Sequence, residues 1–138
     1  MCGIIGYLTT SANTFDQFTG YRDKLRHRGP DDYGLWQDQR GRVQLGHRRL
    51  SILDLSAIAH QPMVSDCGRY VIVYNGEIYN YLELRQELEV AGFGFKGCGD
   101  TEVILAAYRH WGDACLDRFN GMFAFAIWDQ GGVNNTPS

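Results

Sequence analysis

Met1-Cys2-Gly3-Ile4-Ile5-Gly6-Tyr7 opens the chain, and the reading of this stretch decides the fold. Ile4, Ile5, Tyr7 and Leu8, set among glycines, predict a first β-strand. A methionine followed by so small a side chain as cysteine is normally trimmed during synthesis. That leaves a thiol and a free α-amine on one residue, a nucleophile carrying its own base. A strand that merely starts a sheet is the competing reading, and the remainder of the chain has to decide.

At 138 residues the chain fits one domain, long enough to bury roughly two-thirds of the surface its unfolded form exposes. A hydrophobic fraction of 44% and a charged fraction of 21% are ordinary globular usage and speak against disorder, fibres and membrane spans. The net charge of -3, with neither sign gathered into a block, makes nucleic acid an unexpected partner. No basic region with an apolar run and cleavage site begins the chain, and no stretch is long enough to cross a bilayer, so a soluble, cytoplasmic protein is expected. Cys2, Cys67, Cys98 and Cys115 include no close pair, and His27, His47, His60 and His110 are scattered, so no metal is implied. In a reducing compartment the last three cysteines read as small buried hydrophobes.

Working outward, Thr9 to Asn13 is a polar break, and Phe15, Phe18, Arg22 and Leu25 share a helical face, predicting a helix from about Thr14 to Arg26. His27-Arg28-Gly29-Pro30-Asp31-Asp32 ends it as a loop. Gly34 to Gln37 and the run from Val43 to Leu53 flank Asp38-Gln39-Arg40-Gly41 and read as an antiparallel pair. A second pair joins Met63-Val64 to Tyr70–Tyr74 across Asp66-Cys67-Gly68, and the Tyr70–Tyr74 run, apolar on both faces, predicts a central buried strand. Asn80 and Glu83 form a capping-box pattern ahead of a helix that stops at Gly92. A further helix begins after Asp100-Thr101 and reaches about Trp111, and Met122 to Trp128 reads as a last strand. This order is not the strict alternation of a doubly wound fold; helices packed on antiparallel sheets, an α+β arrangement, fit better. Gly131 to Ser138 carries no core-forming pattern and reads as a tail behind one domain spanning residues 2–130.

Several motifs have plain readings. Gly92-Phe93-Gly94-Phe95-Lys96-Gly97 matches GxGxxG but follows a helix instead of a strand, so it is discounted as a phosphate loop. Asn134-Asn135-Thr136 matches a glycosylation acceptor and, lacking a secretory signal, is discounted too. Asn75-Gly76-Glu77, just past the buried strand, offers a carboxamide and a glycine N–H that together could hold an oxyanion. Asn-Gly is equally the commonest tight-turn dipeptide, and taken alone the turn is favoured. Arg49 and Asp100 suit the carboxylate and ammonium of an amino acid, though each alone reads as a solvated surface charge. Arg22, Lys24, Arg26 and Arg28 read as the wet face of the first helix and its exit.

Taken together, MCGIIGY, RHRGPDD, HRRLSILDLS, NGEIYN, GDTEVILAAY and GMFAFAIWD follow one another in the order and approximate spacing of a known family. Over essentially Cys2 to Asp129 the chain closely resembles the N-terminal glutaminase domain of asparagine synthetase, a class II glutamine amidotransferase. The resemblance implies the N-terminal nucleophile hydrolase fold, a four-layer αββα sandwich of two antiparallel sheets between helices. It implies L-glutamine as substrate, Cys2 as nucleophile, and Asn75 and Gly76 as the oxyanion hole. Arg49 corresponds to the group that binds the α-carboxylate, with Ile52 adding backbone contacts, and Asp100, with Glu77, to the receiver of the α-ammonium. Arg28, Gly29 and Pro30 resemble a loop near the site with a structural part.

In that family the glutaminase domain continues into a further hairpin and then a synthetase domain that binds ATP, with magnesium, and aspartate. The match here stops at Asp129, so the resemblance implies a C-terminally truncated domain with no cofactor of its own, its synthetase partner domain outside this chain, and is compatible with a homodimer. Gly99 stands where serine is frequent in the family, which puts one local hydrogen bond before Asp100 in question. An amidotransferase with another ammonia acceptor, and a truncated form that binds glutamine or a partner without turnover, stay open as alternatives.

Overall fold

A computed structural model describes residues 2–10, 17–50 and 59–131. In chain order the elements are β1 (Gly3–Leu8), α1 (Phe18–Asp23), β2 (Asp32–Gln37), β3 (Val43–Arg49), β4 (Met63–Val64), β5 (Tyr70–Ile78), α2 (Tyr81–Val90), α3 (Asp100–Trp111), a 3-10 helix (Gly112–Arg118) and β6 (Gly121–Asp129). The strands form two antiparallel three-stranded sheets, ordered β1-β3-β2 and β4-β5-β6. The hairpin between β2 and β3 closes where Asp38 Oδ1 accepts the N–H groups of Arg42 and Val43, at 2.7 and 3.0 Å, with Gly41 at a φ of 64°.

Side-chain alternation along the strands builds the layers. Ile4, Trp36, Val43 and Leu45 of the first sheet meet Val71, Val73 and Trp128 of the second, forming the core between the sheets. The opposite face of β5, with Ile72, Tyr74 and Ile78, packs on Leu84 and Leu88 of α2 and on Val103, Ile104 and Ala107 of α3. α1 covers the outer face of the first sheet, where Phe18 and Arg22 lie over Gly46. Helix, sheet, sheet and helices thus stack in the αββα order. Leu88, Val103 and Ile104 are fully buried, and truncating one such residue to alanine typically costs about 2–5 kcal/mol.

Several sequence expectations change. α1 is described from Phe18 to Asp23 only, followed by turns through Arg28; residues 11–16 lie outside the described residues. Arg22 is not on a wet face: it is buried, with its guanidinium stacked over the Tyr33 ring at 4.6 Å and paired with Asp23 at 2.8 Å. β2 starts at Asp32, because Asp32 and Tyr33 pair with Arg49 and Arg48 instead of staying in the loop. The capping box does not form, since the Asn80 carboxamide is drawn to the Arg118 carbonyl and the Asn120 N–H, both at 2.9 Å. Of the cysteines read as buried, only Cys115 is; Cys67 and Cys98 are exposed.

Candidate active site

Cys2 stands directly ahead of β1. Gly3 pairs with Arg48, so the same register carries Cys2 across from Arg49 at the end of β3. The RHRGPDD segment binds to both. Arg28 Nε donates to the Cys2 carbonyl at 3.2 Å, and the Asp31 N–H donates to the Arg49 carbonyl at 3.0 Å. Gly29 lies against the Arg48–Arg49 peptide so closely that a Cβ there would stand 2.4 to 2.6 Å from its atoms. Only glycine lets the loop sit this close, so the segment clamps the end of β3 to the start of β1.

Asn75 and Gly76 lie inside β5, not in a turn after it. The tight-turn reading fails because β6 pairs with the whole segment, Asn75 with Ala124 and Gly76 with Phe123. In an antiparallel ladder, alternate residues turn their N–H and C=O toward one neighbour and the others toward the opposite edge. Tyr79 N–H donates to Asn120 at 2.7 Å and Gln130 N–H to Arg69 at 2.8 Å, so the odd-numbered residues of β5 face β6. The even ones face the other edge: Tyr74 N–H reaches Gln61 Oε1 at 2.6 Å, and Ile78 N–H reaches Asp100 Oδ2 at 3.1 Å. Gly76 N–H points to that same edge, between these two acceptors. A Cβ on Gly76 would meet the Met122 carbonyl oxygen at 2.3 Å and Phe123 Cα at 2.5 Å, and its φ is 149°, a value that suits glycine. The side chains of Asn75 and Glu77 share the face of β5 that carries Val71 and Val73 toward the first sheet.

Asp100 opens α3, where a carboxylate is favoured by the helix dipole. Gly99 supplies no side-chain cap. Asp100 is held instead from β5, its Oδ2 accepting the Ile78 N–H and, at 2.6 Å, the Tyr74 hydroxyl. Oδ1 has no hydrogen-bond partner among the described residues.

Tyr74, which sequence reasoning used only as an apolar strand residue, joins the two halves. Burial first, then its bond to Asp100 and the charges of Asp100, Glu77 and Cys2, push its phenol far above the usual range, so the hydroxyl stays a donor. Its backbone is also fixed on both sides, the N–H by Gln61 and the carbonyl by His47 Nε2 at 3.2 Å. His47 is 2% exposed. Burial above all, opposed by the carbonyl and aided by Arg49, pulls it down to about 4, so it is neutral and donates its Nε2–H to Tyr74. The sequence signal for Tyr74 was available: a buried tyrosine in an apolar run needs a partner for its hydroxyl.

Val43 and Leu45 pack with Val71 and Val73, and His47 meets Tyr74, so β3 and β5 run in the same sense across the interface. Arg49 therefore lies level with the residues that follow Tyr74. One end of the sandwich gathers Cys2 and Arg49 from the first sheet, Asn75, Gly76 and Glu77 from the second, and Asp100 from α3. Ile52 lies outside the described residues. Among the described residues no group of His, Cys, Asp or Glu could hold a metal ion, and no helix is long and apolar enough to cross a membrane. The N–H groups of Lys96 and Gly97 in the GxGxxG match are taken by the Glu102 carboxylate, at 3.3 and 3.0 Å.

The model of the glutamine amidotransferase domain matches residues 1–135. The chain belongs to the glutamine amidotransferase domain family. Among curated relatives of this chain, asparagine synthetase [glutamine-hydrolyzing] 3 of Bacillus subtilis is 41% identical over 138 residues, covering 94% of this chain and 22% of the relative. Asparagine synthetase [glutamine-hydrolyzing] 1 of the same organism is 43% identical over 135 residues, covering 94% and 21%. The chain thus spans about a fifth of the length of the curated relatives it matches. In fold it is similar to glutamine phosphoribosylpyrophosphate amidotransferase of Bacillus subtilis, at a TM-score of 0.71 and 23% identity over 94% of this chain and 35% of that one. That likeness bears out the fold expected from the sequence, a four-layer αββα sandwich of two antiparallel sheets between helices.

Proposed function

We propose that this chain is the glutaminase module of an asparagine synthetase-type ligase, hydrolysing the side-chain amide of L-glutamine to glutamate and ammonia. The observation that carries the reading is the convergence of Cys2, Arg49, Asn75, Gly76 and Asp100 on one end of a sandwich whose family is that of glutamine amidotransferases.

Each group has a chemical part. With Met1 removed, the free α-amine of Cys2 stands beside its own thiol and takes the thiol proton, directly or through a water. The thiolate adds to the side-chain carbonyl carbon of glutamine, and the Asn75 carboxamide and Gly76 N–H take up the charge that develops on its oxygen. The amine returns the proton to the departing nitrogen, ammonia leaves, and a thioester remains. Water, activated by the same amine, releases glutamate and restores the thiol. Arg49 grips the α-carboxylate in bidentate fashion, while Asp100, with Glu77, receives the α-ammonium and Ile52 adds backbone contacts. Residues 2–130 form this unit. On this reading ATP, magnesium and the ammonia acceptor are assigned to a synthetase part and not to these residues; the relatives are named asparagine synthetases, and the chain spans about a fifth of their length. A reducing, cytoplasmic setting goes with a free Cys2 thiol.

Cys2→Ala tests the reading. Glutamate release from glutamine is expected to vanish, and substantial residual turnover would overturn the assignment of the nucleophile.

A further inference from the structure

We propose that Tyr74 is a positioning residue for substrate selectivity, holding the Asp100 carboxylate so that one oxygen is committed to the protein and the other is presented to the α-ammonium of the substrate. The proposal rests on the reading of Asp100 given above and extends it to a side chain that does not itself touch glutamine.

Two donors converge on Oδ2 of Asp100, the Ile78 N–H at 3.1 Å and the Tyr74 hydroxyl at 2.6 Å. With Oδ2 so occupied, Oδ1 is the acceptor left for a ligand. The Ile78 N–H alone would leave the carboxylate free to rotate about its own axis, because a single donor fixes one point and not a plane. The tyrosine supplies the second point, and it is itself rigid. Its N–H is bound by Gln61, its carbonyl by His47, and the residue is 4% exposed within the core between β5 and the helices α2 and α3. Since Asn75 follows directly in β5, the same bracing fixes the level at which the Asn75 carboxamide and the Gly76 N–H stand. Substrates bearing an α-ammonium are thereby favoured over those without one.

Binding to the Cys2→Ala chain, which cannot turn glutamine over, reads the effect by calorimetry with two probes, L-glutamine and glutaramate, its analogue lacking the α-amino group. Tyr74→Phe keeps the buried ring and removes only the hydroxyl. It is expected to weaken glutamine binding roughly tenfold, the size of one hydrogen bond to a charged group, and to leave glutaramate binding unchanged, so that the preference between the probes shrinks. Equal weakening of both probes, or of neither, would overturn the proposal. Asp100→Asn separates it from the reading beneath it: if Asp100→Asn keeps the full preference for glutamine, the ammonium assignment itself fails. Loss of preference in Asp100→Asn but not in Tyr74→Phe refutes the role of Tyr74 alone. Should Tyr74→Phe not fold, Tyr74→Met, which fills much of the same volume without a hydroxyl, gives the same comparison.

Discussion

Gly76→Ala is a local change with a calculable consequence. The new methyl would stand 2.3 Å from the Met122 carbonyl oxygen and 2.5 Å from Phe123 Cα, both in the backbone of β6, whereas ordinary contact begins at 3.4 Å. Neither atom is the end of a flexible side chain, so β6 must retreat by about 1 Å from β5 at a point where paired strands stand about 4.8 Å apart. Overpacking of this kind costs about 1–3 kcal/mol, and holding a residue with a Cβ at a φ of 149° adds a further ~1–2 kcal/mol. Together roughly 2–5 kcal/mol is lost, a large share of the 5–15 kcal/mol that stabilises a typical domain. Urea unfolding reads this as a lowered midpoint at constant slope. Gly94→Ala is the control: nothing lies within 4 Å of its Cβ position, and the substitution is expected to be neutral or slightly stabilising. Glutaminase activity of Gly76→Ala should fall by about 10² to 10³, because the displaced N–H no longer meets the oxyanion. A Gly76→Ala chain as stable as the Gly94→Ala control, or one with undiminished turnover, would refute the close approach of β5 and β6 and the part assigned to the Gly76 N–H.

Asn75→Ala should lower kcat by about 10² to 10³ with KM little changed; a change confined to KM in steady-state kinetics would make Asn75 a binding residue instead. Arg49→Lys keeps the charge but loses the fork, so KM for glutamine should rise well above that of the parent, and an unchanged KM would remove Arg49 from the carboxylate site. His47 gives a pH signature. Its value falls from 6.5 in the unfolded chain to about 4 in the fold, so the fold favours the neutral ring, and the stability this contributes is intact above pH 6.5 and declines as pH falls toward 4, by up to about 3 kcal/mol. His47→Gln should flatten that part of the pH–stability curve measured by urea unfolding; an unaltered slope would contradict the neutral, buried assignment.

Much of this arrangement could be read from the chain because its signals are local. The all-apolar run Tyr70–Tyr74 does become the central strand β5, the turn glycines lie where the hairpins close, and the helix expected after Asp100-Thr101 forms, beginning two residues earlier, at Asp100 itself. What escaped depends on partners distant in sequence. Asn75-Gly76 has the dipeptide of a tight turn, and nothing nearby reveals that β6 will pair alongside it and prolong the strand. Asn80 fits the pattern of a cap, yet its carboxamide is taken by the loop ahead of β6. Arg22 lies among basic residues that look solvated, but the Tyr33 ring of β2 and Asp23 draw it under cover. Tyr74 has a role because Gln61, His47 and Asp100 reach it from three other segments. The candidate site residues are named as a set through the family resemblance, whereas the bonds around Cys2, Tyr74 and Asp100 become legible only with the fold.

The proposed nucleophile is Cys2, formed by its own thiol and amine. Mass spectrometry of the chain after exposure to a glutamine-mimicking electrophile tests it most directly, since the same spectrum reports whether Met1 is present. Chains lacking Met1 are expected to gain one adduct, mapped to Cys2, which excess glutamine suppresses and Asp100→Asn weakens. Labelling of the exposed Cys67 or Cys98 in its place, or equal labelling of chains that retain Met1, would contradict that assignment.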